Sequence, residues 1–363
     1  MANTEMSQGI YIESGVASAI LDTALVSVTT DSDVQESVQT TSNLKEDLCI
    51  MDQPVLSINQ AFGNKLGATE LDRIGEGENK KLRGDAFSPK KGFKIKEWSN
   101  KKVIGYLAAQ YLKNSKTLAG ANTDVQTEMM DLYDQSKDFI ISTSLTKQYE
   151  IVKLLVLGNI MTNAYGSGSP TPNAQPLFSG SHPYLNGTMT FSNTSTNPLT
   201  DANLQIALNQ LKTGVRLQNG KFPKVAKEYL LCVSTSQAVV ARNILQTTGN
   251  AVGQLAGLGT SANRSWIINT FSYKGNTVRI VELPQLGEIQ NDGTTLWNVY
   301  NWFVINPEVI KWLKAFKAFE LYPTKLKSYD NPDTDDIYVS VRTSFAVDHY
   351  NAEAGVYGSF ATS

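Results

Sequence analysis

A stretch of 33 residues, from Val125 to Leu157, contains neither glycine nor proline. It restricts the fold more than any other feature of the sequence, because a run this long without the two helix-breaking residues favours one continuous helix. Thr123 precedes the stretch and Gln126 follows three residues later, which is the spacing of a capping box. The sequence therefore predicts a helix over about 123–161, roughly 50 Å long, that crosses a flat domain.

The second half of this predicted helix has an apolar stripe. Leu145, Tyr149, Val152 and Val156 follow one another at spacings of four, three and four residues, which places them on one helix face. We expect this face to pack on the protein core. Charged residues beside the stripe are too sparse for a coiled coil.

Charge is distributed unevenly along the chain. Residues 1–52 contain nine acidic residues and one lysine, whereas residues 80–102 contain nine basic and two acidic residues. Opposite patches on one molecule favour head-to-tail contacts between copies. The chain as a whole has a net charge of −2, which does not indicate a dedicated polyanion-binding protein.

This asymmetry predicts an interface between subunits. The basic segment would lie against the acidic N-terminal region of a neighbour. The candidate residues are Lys80, Lys81, Arg83, Lys90, Lys91, Lys94, Lys96 and Trp98 on the basic side, and Asp31, Asp33 and Glu36 on the acidic side. Two other interpretations stay open: a nucleic-acid patch with interleaved aromatic residues, and a solvated face without a partner.

The remaining sequence indicates a mixed α+β protein. Residues 1–60 suggest an extended arm with short helices or strands. The glycine- and lysine-rich segment 63–105 suggests a projecting two-stranded loop, and residues 162–200, which lack charged side chains, suggest a long loop. Periodicity then predicts helices over 204–215 and 236–245, and strands over 228–233, 276–283, 295–305 and 337–347.

Residues that could support chemistry are few. The two histidines, His182 and His349, lie far apart in sequence without a zinc or nucleophile motif. No glycine-rich phosphate loop is present. Cys49 and Cys232 are expected to be buried, reduced thiols. We therefore expect no catalytic residues, no cofactor and no metal. No secretory signal and no membrane-spanning run is found.

Several stretches resemble one known family. Residues 176–183 (PLFSGSHP) are similar to a stretch that follows the long helix in major capsid proteins of tailed phages with the HK97-type fold, closest to the Mu-like major head subunit group. Residues 222–245 resemble the strand–helix step of that group. Residues 296–307 resemble its tryptophan-bearing strand, and the strand to Val347 resembles its closing strand. The resemblance covers about residues 65–360.

The resemblance implies a division of the chain into five parts. These are an N-terminal arm (1–62) that reaches over neighbours, an E-loop region (63–105), a peripheral domain (106–200) with a spine helix at about 123–161, an axial domain (201–308), and a C-terminal part of the peripheral domain (309–363). The arm does not resemble a long helical scaffold, so we expect a separate scaffolding protein or none.

The resemblance also implies a function. The chain would be a head protein that self-assembles through pentamers and hexamers into an icosahedral shell around phage double-stranded DNA. Assembly would take place in the host cytoplasm, with portal, scaffolding and decoration proteins as further partners, weak contact with DNA and no membrane. The alternatives are an encapsulin-like compartment shell, another virion part such as a tail or decoration protein, and a hydrolase that uses paired carboxylates.

Overall fold

The fold is described from a computed structural model of the chain. The structure describes residues 3–7, 10–14, 19–53, 59–62, 91–114, 121, 123–159, 176–183, 190–217, 220–248, 270–288, 296–330, 336–349 and 352–361. Helices and strands are both abundant among these residues, which confirms the α+β class.

Helices and strands alternate along the described chain. The helices are α1 (Ala19–Thr29), α2 (Ser32–Asp47), α3 (Tyr106–Asn114), α4 (Thr123–Val156), α5 (Asp201–Asn209), α6 (Thr235–Thr248) and α7 (Pro307–Leu313), with a π-helical turn at Gln210–Gly214 and a 3-10 turn at Glu353–Gly355. The strands are β1 (Asn3–Ser7), β2 (Ile10–Ser14), β3 (Met51–Gln53), β4 (Asn59–Phe62), β5 (Lys91–Lys94), β6 (Lys96–Ile104), β7 (His182–Pro183), β8 (Thr190–Phe191), β9 (Thr194–Ser195), β10 (Glu228–Val233), β11 (Thr270–Tyr273), β12 (Asn276–Glu282), β13 (Trp302–Ile305), β14 (Phe316–Phe319), β15 (Thr324–Asp330), β16 (Ile337–His349) and β17 (Val356–Ser359).

A seven-stranded sheet is built around the long strand β16. One edge of β16 pairs with β6, and the other edge pairs first with β15 and then with β14. The Ser344 hydroxyl accepts hydrogen bonds from the backbone N–H groups of Leu321 (3.1 Å) and Tyr322 (2.9 Å), in the gap between β14 and β15. Beyond β15 lie β2 and then β1, and β3 lies beside β14. β6 therefore forms one side of the sheet, and β1 and β3 form the other.

A six-stranded sheet forms the second layer, in the order β11-β12-β10-β13-β17-β9. β10 is parallel to β12 and antiparallel to β13. The two strands at one edge of this sheet come from distant parts of the chain, since β9 belongs to the uncharged segment and β17 lies near the C-terminus. We predicted residues 309–363 to return to the peripheral domain; β14 to β16 lie in the seven-stranded sheet, whereas β17 lies in the six-stranded sheet. The five-part division itself stays a prediction.

The spine helix α4 has 34 residues and begins at the predicted Thr123. The side chain of Gln126 reaches back over the start of the helix, where its Nε2 donates to the carbonyl of Ala121 (3.1 Å); the predicted capping box stays a prediction. Three of the four residues of the predicted stripe, Tyr149, Val152 and Val156, pack on the core as expected. Leu145 is 45% exposed, because α2 packs on the neighbouring face that carries Ser144, Gln148 and Ile151.

The N-terminal region differs from the expected extended arm. Its described residues include two helices, α1 and α2, which pack against α4 of the same chain. Leu21, Leu25 and Val28 of α1 are buried at helical spacing, and Asp31 caps α2 by accepting a hydrogen bond from the N–H of Asp33 (2.9 Å). Apolar residues at this spacing and an N-cap aspartate are sufficient to form a helical hairpin on an existing surface.

The other predicted elements are mostly confirmed. The helix at 204–215, the helix at 236–245 and the strands at 228–233, 276–283 and 337–347 are present with small differences at their ends. The strand predicted over 295–305 is limited to Trp302–Ile305. A turn precedes it, because the side-chain oxygen of Asn298 accepts from the N–H of Tyr300 (2.9 Å) and its backbone carbonyl accepts from the N–H of Asn301 (3.3 Å).

Phe178 joins the six-stranded sheet to the end of α4, the helix that packs on the seven-stranded sheet. Its ring is 1% exposed and stacks on Phe303 of β13, with 5.5 Å between ring centroids. Gly158, directly after α4, and Gly358 of β17 lie against the ring, and a Cβ at either position would approach it to 2.8 Å. One buried cluster thus includes the end of α4, both sheets and α7.

Candidate inter-subunit surface

The basic residues of the predicted interface lie on or before β6. Lys91 and Lys94 belong to β5, which pairs antiparallel with β4. Lys96 and Trp98 belong to β6, which continues from β5 after Ile95. Lys80, Lys81, Arg83 and Lys90 lie outside the described residues. The structure therefore describes only the last part of the predicted segment 63–105, from Lys91 onward.

The first residues of β6 are fixed to the spine helix on one face of the sheet. Lys96 Nζ lies 3.3 Å from the carboxylate of Glu150 in α4, and Lys153 lies 3.5 Å from the same oxygen. Trp98 is half-buried and packs against the cluster that joins the two layers. Two of the predicted interface residues thus have partners within their own chain.

Glu97 is fixed on the opposite face of the sheet. Its carboxylate accepts hydrogen bonds from Arg342 of β16 and from the hydroxyl of Tyr322. The bond from Arg342, followed by that from Tyr322, lowers the pKa of Glu97, while burial and the bond to Glu97 raise the pKa of Tyr322 to about 12. The root of β6 is therefore held from both faces.

The acidic residues of the predicted interface lie at the start of α2. Lys137 of α4 approaches Asp31 (3.1 Å) and Asp33 (2.5 Å), and Tyr133 donates its hydroxyl to Asp31 (3.1 Å). The hydrogen bond from Lys137 is the main cause of a lowered pKa at Asp31. Glu36 is exposed on the next turn. The described contacts thus join Asp31 and Asp33 to the spine helix, not to the lysine-rich segment.

The outer face of the seven-stranded sheet carries cations and tyrosines in adjacent rows. Tyr338 of β16 lies between Val103 of β6 and Tyr329 of β15 in the strand register. The two tyrosine rings stack with 5.4 Å between centroids, and Lys101 Nζ lies 5.1 Å from the Tyr338 ring. Only the strand register brings these residues together, so no local sequence pattern indicates this face.

Large apolar side chains are exposed elsewhere. On the second layer, Leu296 is 60% exposed and Val239 is 57% exposed, and on the spine helix Met130 is 70% exposed. Among the described residues, the exposed large apolar side chains are those of Val103, Tyr106, Met130, Leu145, Ile206, Phe222, Val225, Val239, Val240, Leu296, Tyr300 and Trp312. Scattered exposed apolar residues are normal on monomers; here they add area that a neighbouring subunit could bury.

The histidines and cysteines are buried. His182 is 2% exposed, its Nε2 lies 3.0 Å from the side-chain oxygen of Asn193, and burial lowers its pKa. His349 is 8% exposed, and its Nδ1 lies 3.6 Å from Asp348. Cys49 and Cys232 are both free and buried, which confirms their expected burial. Among the described residues, no three His, Cys, Asp or Glu side chains are grouped as metal ligands would be.

No helix in the described part of the chain combines the length and the apolar composition that a membrane span requires.

Comparison with known proteins gives similarities at the level of structure. No family model matches the chain, and no curated protein matches it significantly. The chain is similar to the capsid of the cyanophage P-SCSP1u, with 12% identity, a TM-score of 0.48 and 87% of each chain covered. It is also similar to a structure of Mycobacterium phage Patience (12% identity, TM-score 0.46, 94% of this chain and 89% of that chain) and to the capsid of Ralstonia phage GP4 (10% identity, TM-score 0.44, 86% of each chain).

Proposed function

We propose that the chain is the major capsid protein of a tailed phage, a subunit that self-assembles into an icosahedral shell enclosing double-stranded DNA. The observation that carries the proposal is the order of elements along the chain. A two-stranded ribbon (β4 and β5) and β6 precede the spine helix, a complete α/β layer follows it, and the chain then returns to the first sheet through β14 to β16. This is the order that the sequence resemblance implies.

The proposal gives the chain a structural role, not a catalytic one. A shell subunit requires a rigid body and several surfaces that contact copies of itself, because many weak contacts together give a stable assembly. The continuous buried cluster around Phe178 supplies the rigid body. The exposed apolar side chains on both layers supply area for contacts.

The proposed partners follow from this role. The chain would form pentamers and hexamers with itself, and portal, scaffolding and decoration proteins would complete the particle. The mature location would be the virion, after assembly in the host cytoplasm. Contact with packaged DNA would be weak and non-specific, in keeping with the net charge of −2.

The lysine-rich segment remains our proposed site of subunit contact. Lys80, Lys81, Arg83, Lys90, Lys91 and Lys94 would reach a neighbour, while Lys96, Trp98 and Glu97 hold the root of the segment on its own subunit. On the acidic side, Glu36 is exposed, whereas Asp31 and Asp33 share Lys137. We therefore expect Glu36 to contribute more to the contact than the two aspartates.

Electron microscopy of the purified protein tests the proposal. We expect closed shells or capsomer rings after expression of the chain, alone or with its scaffolding protein. The double variant Lys91→Glu/Lys94→Glu should fold but form few particles. A charge-matched control, Lys221→Glu/Lys227→Glu on the exposed surface of the second layer, should assemble more completely. A stable monomer under all conditions would contradict the proposed function.

An encapsulin-like compartment is the second candidate, because it would use the same fold. Purified particles distinguish the two: a phage head contains DNA after packaging, whereas a compartment of this kind contains a cargo enzyme.

A further inference from the structure

The seven-stranded sheet ends in strands of opposite charge. β6 hydrogen-bonds to β16 along one edge, and within the described residues no strand pairs with its other edge. β1 lies at the far side of the same sheet and pairs only with β2 among the described strands. An open strand edge presents backbone donors and acceptors that another strand can use.

The charges on these two edges are complementary. β6 (Lys96–Ile104) contains three lysines and one glutamate, whereas β1 (Asn3–Ser7) contains one glutamate, Glu5, and no basic residue. Ser99, Asn100 and Lys101 of β6 are exposed. Like charges on facing strands are destabilising and opposite charges are stabilising. A β6 edge should therefore reject another β6 edge and accept a β1 edge.

We propose that β1 of one copy pairs with β6 of the next copy, so that the sheet continues from subunit to subunit. This inference rests on the proposed self-assembly and specifies one of its contacts. Because the two edges lie on opposite sides of one sheet, the contact is head-to-tail, and contacts of that kind close into rings when the rotation between copies allows it. The lysines of β6 would then favour pairing with β1 of a neighbour and disfavour pairing with another β6.

Disulfide cross-linking between two singly substituted chains tests the pairing directly. One chain carries Thr4→Cys, and the other carries Ser99→Cys or Asn100→Cys. Four strand spacings separate the edges within one chain, about 19 Å, so a bond within one chain could not form. The native Cys49 and Cys232 are buried and should not compete.

We expect the mixed chains to give a covalent dimer under assembly conditions, and each chain alone to give none. Absence of the dimer with both Ser99→Cys and Asn100→Cys, while shells still form, would overturn the edge pairing and leave the proposed function standing. Absence of shells from the unmodified chain under all conditions would instead count against the proposed function. Dimers from the Ser99→Cys chain alone would show β6–β6 pairing and also overturn the inference.

A charge exchange gives a second test that does not depend on cysteine geometry. Lys101→Glu and Glu5→Lys should each raise the critical concentration for assembly by about fivefold. The chain carrying both changes should recover most of the loss, because the two edges again carry opposite charges at these positions, with the positive charge now on β1. Lys221→Glu is the control and should show no recovery when combined with Glu5→Lys. If the double exchange assembles no better than the single variants, charge complementarity between these edges is refuted.

Discussion

Replacing Phe178 with alanine should be among the most destabilising single changes in the protein. The ring is 1% exposed and contacts Phe303 of the six-stranded sheet and Gly158 at the end of the spine helix. Phenylalanine-to-alanine changes in protein cores cost roughly 3–5 kcal/mol, because the lost burial and the cavity left behind add together. The neighbours on two sides are the backbones of Gly158 and Gly358, which have no side chain that could fill the cavity. We therefore expect a loss of about 4 kcal/mol in the free energy of unfolding.

Urea denaturation of dissociated subunits, followed by tryptophan fluorescence, measures this loss. Phe222→Ala is the matched control, because Phe222 is 53% exposed and its removal should cost less than about 1 kcal/mol. Gly358→Ala completes a double-mutant cycle: its Cβ would lie 2.8 Å from the Phe178 ring, so it should destabilise the unmodified protein much more than the Phe178→Ala variant. Equal losses from Phe178→Ala and Phe222→Ala would refute the view that this ring joins the six-stranded sheet to the end of α4.

Three further predictions concern other parts of the structure. Arg342 and Tyr322 lower the pKa of Glu97, so the stability that Glu97 contributes should be present above its ordinary pKa and be lost as the pH falls through the lowered pKa. Glu97→Gln should remove that part of the pH dependence in thermal melts between pH 3 and 6, and an unchanged profile would contradict this. Thr41→Val should cost about 1–3 kcal/mol in urea denaturation, because it leaves the buried amide of Gln148 without its 3.1 Å acceptor, and a neutral effect would argue against this network. Both cysteines should react with a thiol reagent only on unfolding, since burial raises the pKa of each thiol, and rapid reaction in the native protein would disprove that.

The sequence predicted elements well where local signals and tertiary packing agree. The absence of glycine and proline defined α4, and the alternation of Ile337, Val339 and Val341 defined β16, whose first half alternates between buried and half-buried residues. It predicted the face of α4 less well, because the choice between Leu145 and Ser144 depends on where α2 packs. A buried Ser144 and Gln148 would not be chosen from hydrophobicity alone, since their burial depends on the bonds that link them to Thr41.

The candidate interface was harder to predict than the fold. Net charge located the two segments, but it could not show that Asp31 and Asp33 already share Lys137, a residue about one hundred positions later. The sheet face with Lys101, Tyr338 and Tyr329 depends on the register of three strands that are distant in sequence. Two local signals do indicate the N-terminal helices: the apolar spacing of Leu21, Leu25 and Val28 in α1, and the N-cap Asp31 of α2.

The distribution of strong and weak interactions within the subunit suggests how assembly could be controlled. The strong interactions are internal, where fully buried aromatic residues and glycines join the two layers into one body. The contacts available to a neighbour are single strand edges, exposed charges and separate apolar side chains, each worth little in isolation. Such a subunit would stay dissociated at low concentration and associate only when several contacts form together. The start of β6 matters most in this scheme, because Lys96 and Glu97 fix it to the rest of the subunit from opposite faces of the sheet.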